Sequence, residues 1–390
     1  MNVFGPSDVG THVSPPSRLW SHRRLLVPVL LVAVLAALPW AVGRWDARAT
    51  AGSGDLSAAR VLAMVQAARS TGWSGTAESR GGLALPVTDV FGDLADLAGG
   101  TTTSRAWWRA PLQWRVDVLS AVGERDTIRD PAGSWAWDYQ AASTTRTAID
   151  PATRVRLPEA VDLLPPTLGG RLLSEALPGE AGRLPGRSIA GRDTVGLRIH
   201  PAQPESTVDH VDVWADLRTG VPLRVEVWAA GAATAAMTST FLDVDLAVPT
   251  PAAVSFTPPA GTHLDVRSDP RAGDIASAVD RLSPVRPPSS LAGLGPSPHT
   301  PPLGAIGIYG RGVTELVAVP LQERYAGSLR AQLAGAATAA SGPDGTVELG
   351  VGPLHLLVTP DGDRGRFWLL AGTVTPDTLR RAAGELGVGA

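Results

Sequence analysis

The run Val213-Trp214-Ala215-Asp216-Leu217-Arg218-Thr219-Gly220-Val221-Pro222-Leu223-Arg224 decides the fold of this chain. Apolar and polar residues alternate on both sides of it, from Val211 to Trp228, which predicts two antiparallel strands. The segment Asp216 to Gly220 between them has the composition of a turn, and Gly220 can adopt the left-handed conformation that such turns need. The sequence therefore predicts a β-hairpin here.

The same pattern continues from Trp73 to about Phe256, as short runs of alternating apolar and polar residues that are separated by glycine, proline and aspartate. It predicts a sheet of antiparallel strands. In one run, Trp114 and Val116 share a face that we expect to be buried, and Arg115 and Asp117 share the opposite face, which we expect to be wet.

Helices are predicted at two places beside this sheet. From about Asp55 to Arg69, apolar residues recur at helical spacing, which predicts a helix that packs on the sheet. A shorter helix is predicted around Gly170 to Leu177. The apolar segment Gly81 to Thr103 could fold over one end of the sheet as a lid, or serve as ordinary cover for a hydrophobic face.

Residues 268–303 are dense in proline, serine and glycine, which predicts an extended linker. Beyond it, residues 304–390 mix strands with two helices and predict a small α+β domain. A hairpin is predicted around Gly310-Arg311-Gly312. In the last helix, Thr375 can cap the start, Pro376 suits the first turn and Gly387 ends it.

Residues 25–43 form an uncharged apolar run that is long enough to cross about 30 Å of hydrocarbon as a helix. Arg23 and Arg24 precede it, so residues 1–24 should stay in the cytoplasm and the rest should lie outside the cytoplasmic membrane. The sequence thus predicts a single-pass protein of the cell membrane with extracytoplasmic domains, including a first domain over residues 55–267. The alternative is a cleaved signal peptide.

Composition excludes several classes of function. The 390-residue chain has a net charge of -3, and its 34 basic residues are all arginine without a dense basic patch, so we expect no nucleic-acid partner. The absence of cysteine excludes disulfides and thiolate chemistry.

No catalytic constellation emerges, so we expect a protein that is not an enzyme and uses no metal or cofactor. Asp209 or Asp212 could meet His200 and His210 across neighbouring strands, but isolated surface histidines are far commoner. The sequence gives no cause for raised pKa values at four dispersed aspartates, so a glycosidase pair is a weak alternative; they are Asp117, Asp126, Asp130 and Asp138.

Tryptophans are crowded into the strand region. Because a buried indole N–H needs a partner, tryptophan is a costly filler, and the group could instead line an apolar cavity for an acyl chain. The candidate ligand-binding residues are Trp107, Trp114, Trp135 and Trp137, together with Leu83, Leu85 and Phe91. The alternative is ordinary core packing against the first helix.

Several motifs resemble the RseB/MucB group of sigma-E regulatory proteins and the wider LolA-like lipoprotein carriers. The resemblance rests on five stretches, which are Trp73-Ser74-Gly75-Thr76-Ala77-Glu78, Trp114-Arg115-Val116-Asp117, Trp135-Ala136-Trp137-Asp138-Tyr139, the Val213–Arg224 hairpin, and Tyr309 to Val319. It implies an α+β fold, with a curved antiparallel sheet wrapped as an unclosed half-barrel around helices.

RseB-like proteins bind a membrane-embedded anti-sigma factor and release it when lipoprotein or lipopolysaccharide binds, whereas LolA-like proteins carry acyl chains. This chain departs from both in its own predicted membrane helix. The resemblance therefore implies a membrane-anchored extracytoplasmic regulator of envelope-stress signalling, with a membrane protein as partner and a lipid or lipoprotein as ligand. The alternative is a lipid or lipoprotein carrier beside a membrane transporter, and a cell-wall hydrolase is a third possibility.

Overall fold

The computed structural model describes residues 56–81, 100–120, 123–148, 159–268, 286–298, 304–336, 338–342, 344–360 and 367–387. The predicted membrane span 25–43 and the predicted lid residues 82–99 lie outside these ranges. Among the described residues, no helix is both long and apolar enough to span a bilayer.

The first sheet contains thirteen strands. In chain order they are β1 Trp73–Gly81, β2 Thr101–Ala110, β3 Gln113–Ser120, β4 Gly123–Asp130, β5 Gly133–Asp138, β6 Ser143–Ala148, β7 Ala181–Leu184, β8 Ser188–Ile189, β9 Arg192–Ile199, β10 Val208–Asp216, β11 Pro222–Ala229, β12 Met237–Asp245 and β13 His263–Ser268.

Hydrogen bonding orders these strands as β13-β6-β5-β4-β3-β2-β1-β12-β11-β10-β9-β7, with β8 beside β9. All pairs are antiparallel except β13 with β6, which is parallel. The two end strands, β13 and β7, do not pair with each other among the described strands, so the predicted unclosed antiparallel sheet is confirmed.

The hairpin predicted between Val211 and Trp228 is formed by β10 and β11. The Asp216 carboxylate accepts hydrogen bonds from the backbone N–H groups of Arg218 and Thr219, and Gly220 has a φ of 73°. A Cβ atom at Gly220 would lie 2.7 Å from the carbonyl oxygen of Met64, so the turn packs tightly against the first helix.

Two α-helices pack on the inner face of the first sheet. Helix α1 spans Ala58–Ala67 within the predicted range, and Ser57 caps its start. Helix α2 spans Pro165–Leu172, so it begins earlier than predicted. Consecutive prolines occupy its first turn, where their missing N–H groups cost nothing. Gly169 allows close contact, since a Cβ atom there would lie 2.9 Å from Pro222.

The second sheet has six strands in the order β14-β15-β19-β18-β17-β16. They are β14 Gly307–Arg311, β15 Thr314–Leu321, β16 Ala339–Ser341, β17 Val347–Val351, β18 Leu354–Val358 and β19 Phe367–Gly372. Helices α3, Glu323–Ala334, and α4, Pro376–Glu385, pack on it. Thr375 caps α4 through the Thr378 N–H, which confirms the predicted helix start.

Part of the proline-rich stretch belongs to the second module. Leu291 and Leu294 are buried in the core formed with α4 and β19. The Tyr309 hydroxyl donates to the Pro288 carbonyl oxygen, and the Ser297 N–H donates to the Ile308 carbonyl oxygen. Residues 286–298 therefore pack on the second sheet and do not form a free spacer.

The two sheets meet at a hydrogen-bonded junction. The Thr207 N–H, just before β10, donates to the Thr373 carbonyl oxygen, and the Thr375 N–H donates to the Glu205 carbonyl oxygen. A single hydrophobic cluster continues across this junction, from Val61 and Val213 in the first module to Val317 in the second. The modules thus share one apolar core.

Candidate binding site

One group of aromatic and aliphatic side chains gathers on the outer face of the first sheet. Residues that pair directly across neighbouring strands project to the same side. Trp135 of β5 pairs with Arg146 of β6, which pairs in turn with Val266 of β13. We call this group the aromatic surface, which consists of Trp135, Trp137, Tyr139, Phe256, Leu264 and Val266.

The Phe256 ring contacts both tryptophans of the aromatic surface. Its ring centroid lies 5.8 Å from that of Trp135 and 6.5 Å from that of Trp137. Tyr139 meets Trp137 edge to face at 5.4 Å, and the Arg146 guanidinium lies 4.7 Å from the Trp135 ring centroid. These distances are typical of attractive aromatic and cation–π contacts, so the rings are fixed before any ligand arrives.

A pocket of about 230 Å³ opens beside Trp135. The short helical turn Pro251–Val254 and the residues after it cross the outer face and form its far wall. Its lining consists of Gln113, Ile128, Arg129, Asp130, Trp135, Pro251, Val254, Ser255 and Phe256. Small-molecule sites are usually about 300–1,000 Å³ in volume, so this pocket suits one large apolar side chain or part of an acyl chain.

Strand β13 forms the edge of the sheet next to the aromatic surface. Among the described strands it pairs only with β6, so its other side presents backbone N–H and C=O groups that no strand bonds. Leu264 and Val266 on this edge are 48% and 68% exposed. An exposed apolar edge strand is a ready template for pairing with another chain.

Charged side chains lie next to the aromatic surface on the same face. The Arg115 guanidinium lies 2.6 Å from Asp117 and 2.7 Å from Asp126, and Arg105 lies 2.6 Å from Glu124. Asp117 and Asp126 pair directly across β3 and β4, and each is 1% exposed. The expectation that this face is wet at Asp117 is wrong, because the arginine side chains cover the carboxylates.

Burial, and next the charge of Asp117, raises the pKa of Asp126 to about 7. Burial also raises the pKa of Asp117 despite its hydrogen bond from Arg115. The expectation of dispersed aspartates without raised pKa values is therefore wrong for this pair. The expectation is confirmed at Asp130. Burial would raise the pKa of Asp130, but hydrogen bonds from Arg146 and from backbone N–H groups keep it below its ordinary value.

The structure divides the predicted tryptophan group between the two faces of the sheet. Trp114 lies on the inner face in the core with Trp73 and Trp108, and the Trp73 and Trp108 rings stack at 6.1 Å. Trp107 pairs with Arg115 and lies beneath its guanidinium, 5.5 Å away. Trp135 and Trp137 alone belong to the aromatic surface. Leu83, Leu85 and Phe91 lie outside the described residues.

Sequence reasoning missed Phe256, Leu264 and Val266. The alternation in His263-Leu264-Asp265-Val266-Arg267 was a signal for a strand with one apolar face. Its parallel pairing with β6 brings it back beside Trp135, and no local pattern indicates that return.

The fold and this surface define a two-module protein with an unclosed antiparallel sheet and an exposed apolar edge. No family model matches the chain, and no curated protein matches it.

Among solved structures, the chain is similar to the complex of Pseudomonas aeruginosa MucA and MucB, with 16% identity over 84% of this chain and 96% of that one and a TM-score of 0.46. A structure of MucB alone has a TM-score of 0.40 at 16% identity, covering 86% of this chain and 99% of that one. A LolA superfamily protein from Nitrosomonas europaea covers 52% of this chain and 98% of its own, at 10% identity and a TM-score of 0.23. These are the protein groups that the sequence resembles.

Proposed function

We propose that this chain is a membrane-anchored extracytoplasmic binding protein that regulates a membrane protein by holding one of its segments against the aromatic surface. The observation that carries the proposal is the combination of an exposed apolar edge at Leu264 and Val266 with the aromatic pocket beside Trp135. Each feature alone is common on protein surfaces, and their position on one face, with Arg146 between Val266 and Trp135, favours a single binding site.

An extended peptide fits this surface better than a globular partner. A strand added to β13 would gain backbone hydrogen bonds along the edge, and alternate side chains of the peptide would lie on the same face as Leu264 and Val266. This geometry supports recognition of a linear segment, such as the extracytoplasmic part of an anti-sigma factor or a transporter subunit.

The resemblance of the hairpin at Val213–Arg224 and of the Tyr309–Val319 stretch to the RseB group supports the regulatory part of the proposal. The apolar run 25–43 supports the anchor. In this proposal the chain and its partner are both held at the cytoplasmic membrane, so tethering would raise the effective concentration of the partner near the aromatic surface.

A lipid or lipoprotein carrier is the second candidate, and the Trp135 and Phe256 rings in the pocket lining favour it. A carrier must enclose whole acyl chains, however, and the pocket beside Trp135 is below the usual size range for small-molecule sites. We therefore infer that an acyl group, if bound here, competes with the peptide for the same pocket.

An enzymatic role receives little support from the carboxylates on this face. Asp117 and Asp126 share the Arg115 guanidinium, and Asp130 is held by Arg146. Carboxylates that are paired with arginine in this way are poorly placed to reach a substrate.

The full-length protein, extracted from membranes in mild detergent, tests the proposal through the variant Val266→Asp. Val266 is exposed, so a charge there should leave the fold intact and weaken partner recovery by roughly tenfold, equivalent to about 1.4 kcal/mol. The matched control is Leu242→Asp on β12, an exposed leucine several strands away. Equal recovery with both variants would contradict the proposal. A bound lipid without any protein would favour the carrier.

A further inference from the structure

A second cluster, distant in sequence from the aromatic surface, joins two histidines and an aspartate. The sequence leaves open whether these histidines meet across neighbouring strands or lie separately on the surface, and separate histidines are the commoner expectation. In the structure they meet: His200, Asp209 and His210 can each offer one ligand atom, and the three atoms lie within 4.8 Å of one another. The imidazole ring centroids of His200 and His210 are 5.6 Å apart.

A β-bulge creates this arrangement. Val208 pairs with Ala229 and His210 pairs with Trp228, so Asp209 is an extra residue in β10. A bulge re-aims side chains that would otherwise alternate between faces. As a result the Asp209 carboxylate reaches the ring of His210, with Oδ2 2.5 Å from Nδ1.

The Nδ1 atoms of both imidazoles face Asp209. The Nδ1 atom of His200 lies 3.0 Å from the Asp209 carbonyl oxygen, which can only accept, so Nδ1 carries the proton and Nε2 keeps a lone pair. Metal-binding histidines typically donate their other N–H to a carbonyl or carboxylate in this way. Nδ1 of His210 lies 2.5 Å from the Asp209 carboxylate, so an ion held by that carboxylate would take the place of the proton between the two groups.

The remaining contacts of His210 fix the position of its ring. The side chain is buried, at 8% exposure, and the ring stacks on Trp228 at 5.3 Å. Its Nε2 atom makes no hydrogen bond among the described residues. The Asp212 carboxylate lies 3.7 Å from Nε2 and is bound by both Nε and Nη2 of Arg198. With Nδ1 bound to the ion, the Nε2–H would point towards this carboxylate, an arrangement typical of metal-binding histidines.

We propose that His200, His210 and Asp209 bind a divalent transition-metal ion of the zinc class. Two imidazole nitrogens and one carboxylate oxygen are a donor set that Zn²⁺ favours, with a fourth position left for water. Bonds of about 2.0–2.2 Å place tetrahedral ligands roughly 3.3–3.5 Å apart, so closure around the ion needs shifts of about 1 Å. His200 and Asp209 are exposed and can make these shifts.

The ion would strengthen the chain next to the junction between the sheets. The His200 N–H donates to the carbonyl oxygen of Glu180, whose carboxylate binds Arg311 of the second module. Thr207, two residues before Asp209, donates to the Thr373 carbonyl oxygen. Binding of the ion to the folded state alone should therefore raise the melting temperature.

The test uses full-length protein in detergent, prepared without a histidine tag and stripped of metal with a chelator, and Zn²⁺ alone as the probe. Calorimetric titration should show one saturable site, and Zn²⁺ should raise the melting temperature. His200→Gln and Asp209→Asn should each weaken Zn²⁺ binding by at least about tenfold while leaving the metal-free melting temperature close to that of the original chain.

His263→Gln is the matched control, because His263 is exposed on β13 and should not contribute. Unchanged Zn²⁺ affinity in both His200→Gln and Asp209→Asn would overturn the proposal, as would the absence of a saturable site in the original chain. An equal loss of affinity in His263→Gln would also overturn it.

Discussion

Arg311 of the second module binds Glu180 of the first through both carboxylate oxygens, at Nη2–Oε1 and Nη1–Oε2 distances of 2.5 and 3.2 Å. The Glu180 side chain is only 6% exposed. Burial alone would raise the pKa of Glu180, but hydrogen bonds from Arg311 and from the N–H groups of Leu177 and Ala202 hold it below its ordinary value. This ion pair ties the β14–β15 hairpin to the first sheet.

Arg311→Gln should lower the free energy of unfolding by about 1.5–3 kcal/mol, because it leaves a buried carboxylate without its charged partner. Arg380→Gln is the control. The Arg380 side chain is 55% exposed, so the loss of its ion pairs should lower the free energy of unfolding by less than about 1 kcal/mol. Denaturant unfolding of the full-length protein measures both. Equal losses would contradict a special role for the junction pair.

The pH dependence of stability should contain a contribution from Asp126, whose pKa is raised to about 7. The folded state then binds this proton more tightly than the unfolded state, whose aspartates titrate near pH 4, so its stabilising effect is lost as the pH rises from about 4 through 7. Asp126→Asn should lose less stability between pH 5 and pH 8 than the original chain does, by about 1–2 kcal/mol.

Thermal unfolding across this pH range tests the expectation. Exposed Asp193 provides the control Asp193→Asn, which should leave the slope unchanged. Glu315 remains in all three proteins, and since burial raises its pKa to about 7 as well, part of the slope should persist. An Asp126→Asn protein with the full original slope would show that Asp126 is not responsible.

Gly220→Ala should destabilise the protein more than Gly231→Ala. Both glycines have nearly the same φ, 73° and 74°, so the cost of placing alanine in the left-handed region is shared. Only at Gly220 would the added Cβ also lie 2.7 Å from the Met64 carbonyl oxygen. We expect the free energy of unfolding to fall by about 1 kcal/mol in Gly231→Ala and by about 2–4 kcal/mol in Gly220→Ala, measured by denaturant unfolding. Equal costs would mean that the turn can move away from α1.

The topology of the anchor gives a separate prediction. Arg23 and Arg24 precede the apolar run 25–43, so protease added to intact spheroplasts should digest the chain beyond Arg44. Protection of those residues would place the folded modules in the cytoplasm and contradict the proposed compartment. N-terminal sequencing of the mature protein separates the retained anchor from the cleaved signal peptide.

Turns and helix ends were predictable from short stretches of sequence. The turn at Asp216–Gly220 and the capped helix after Thr375 formed as predicted, because a capping side chain or a left-handed glycine acts over a few residues. The predicted start of helix α2 was wrong, since the helix begins at consecutive prolines and its Gly169 packs against Pro222. The apolar period alone gave no reason to prefer that start.

The candidate sites depend on strand order and register, which the sequence does not specify. Asp117 and Asp126 are adjacent because β3 and β4 pair with those two residues opposite each other. Trp114 and Trp135 lie on opposite faces for the same reason, although both are tryptophans in alternating runs. The bulge at Asp209 changes the direction of one side chain and thereby brings three possible metal ligands together. A shift of one residue in the strand register would turn these side chains to the opposite face and separate them.

Photo-crosslinking from Val266 in intact membranes tests the central claim most directly. A crosslinking amino acid at Val266, which is 68% exposed beside the aromatic surface, should give a discrete adduct whose mass spectrum contains peptides of one membrane protein. The same group at Leu242, 52% exposed on β12, should not give this adduct. The adduct at Val266 should also disappear when Tyr139→Ala alters the surface. An identical adduct pattern from both positions, or an adduct at Val266 that contains lipid and no protein, would contradict the account.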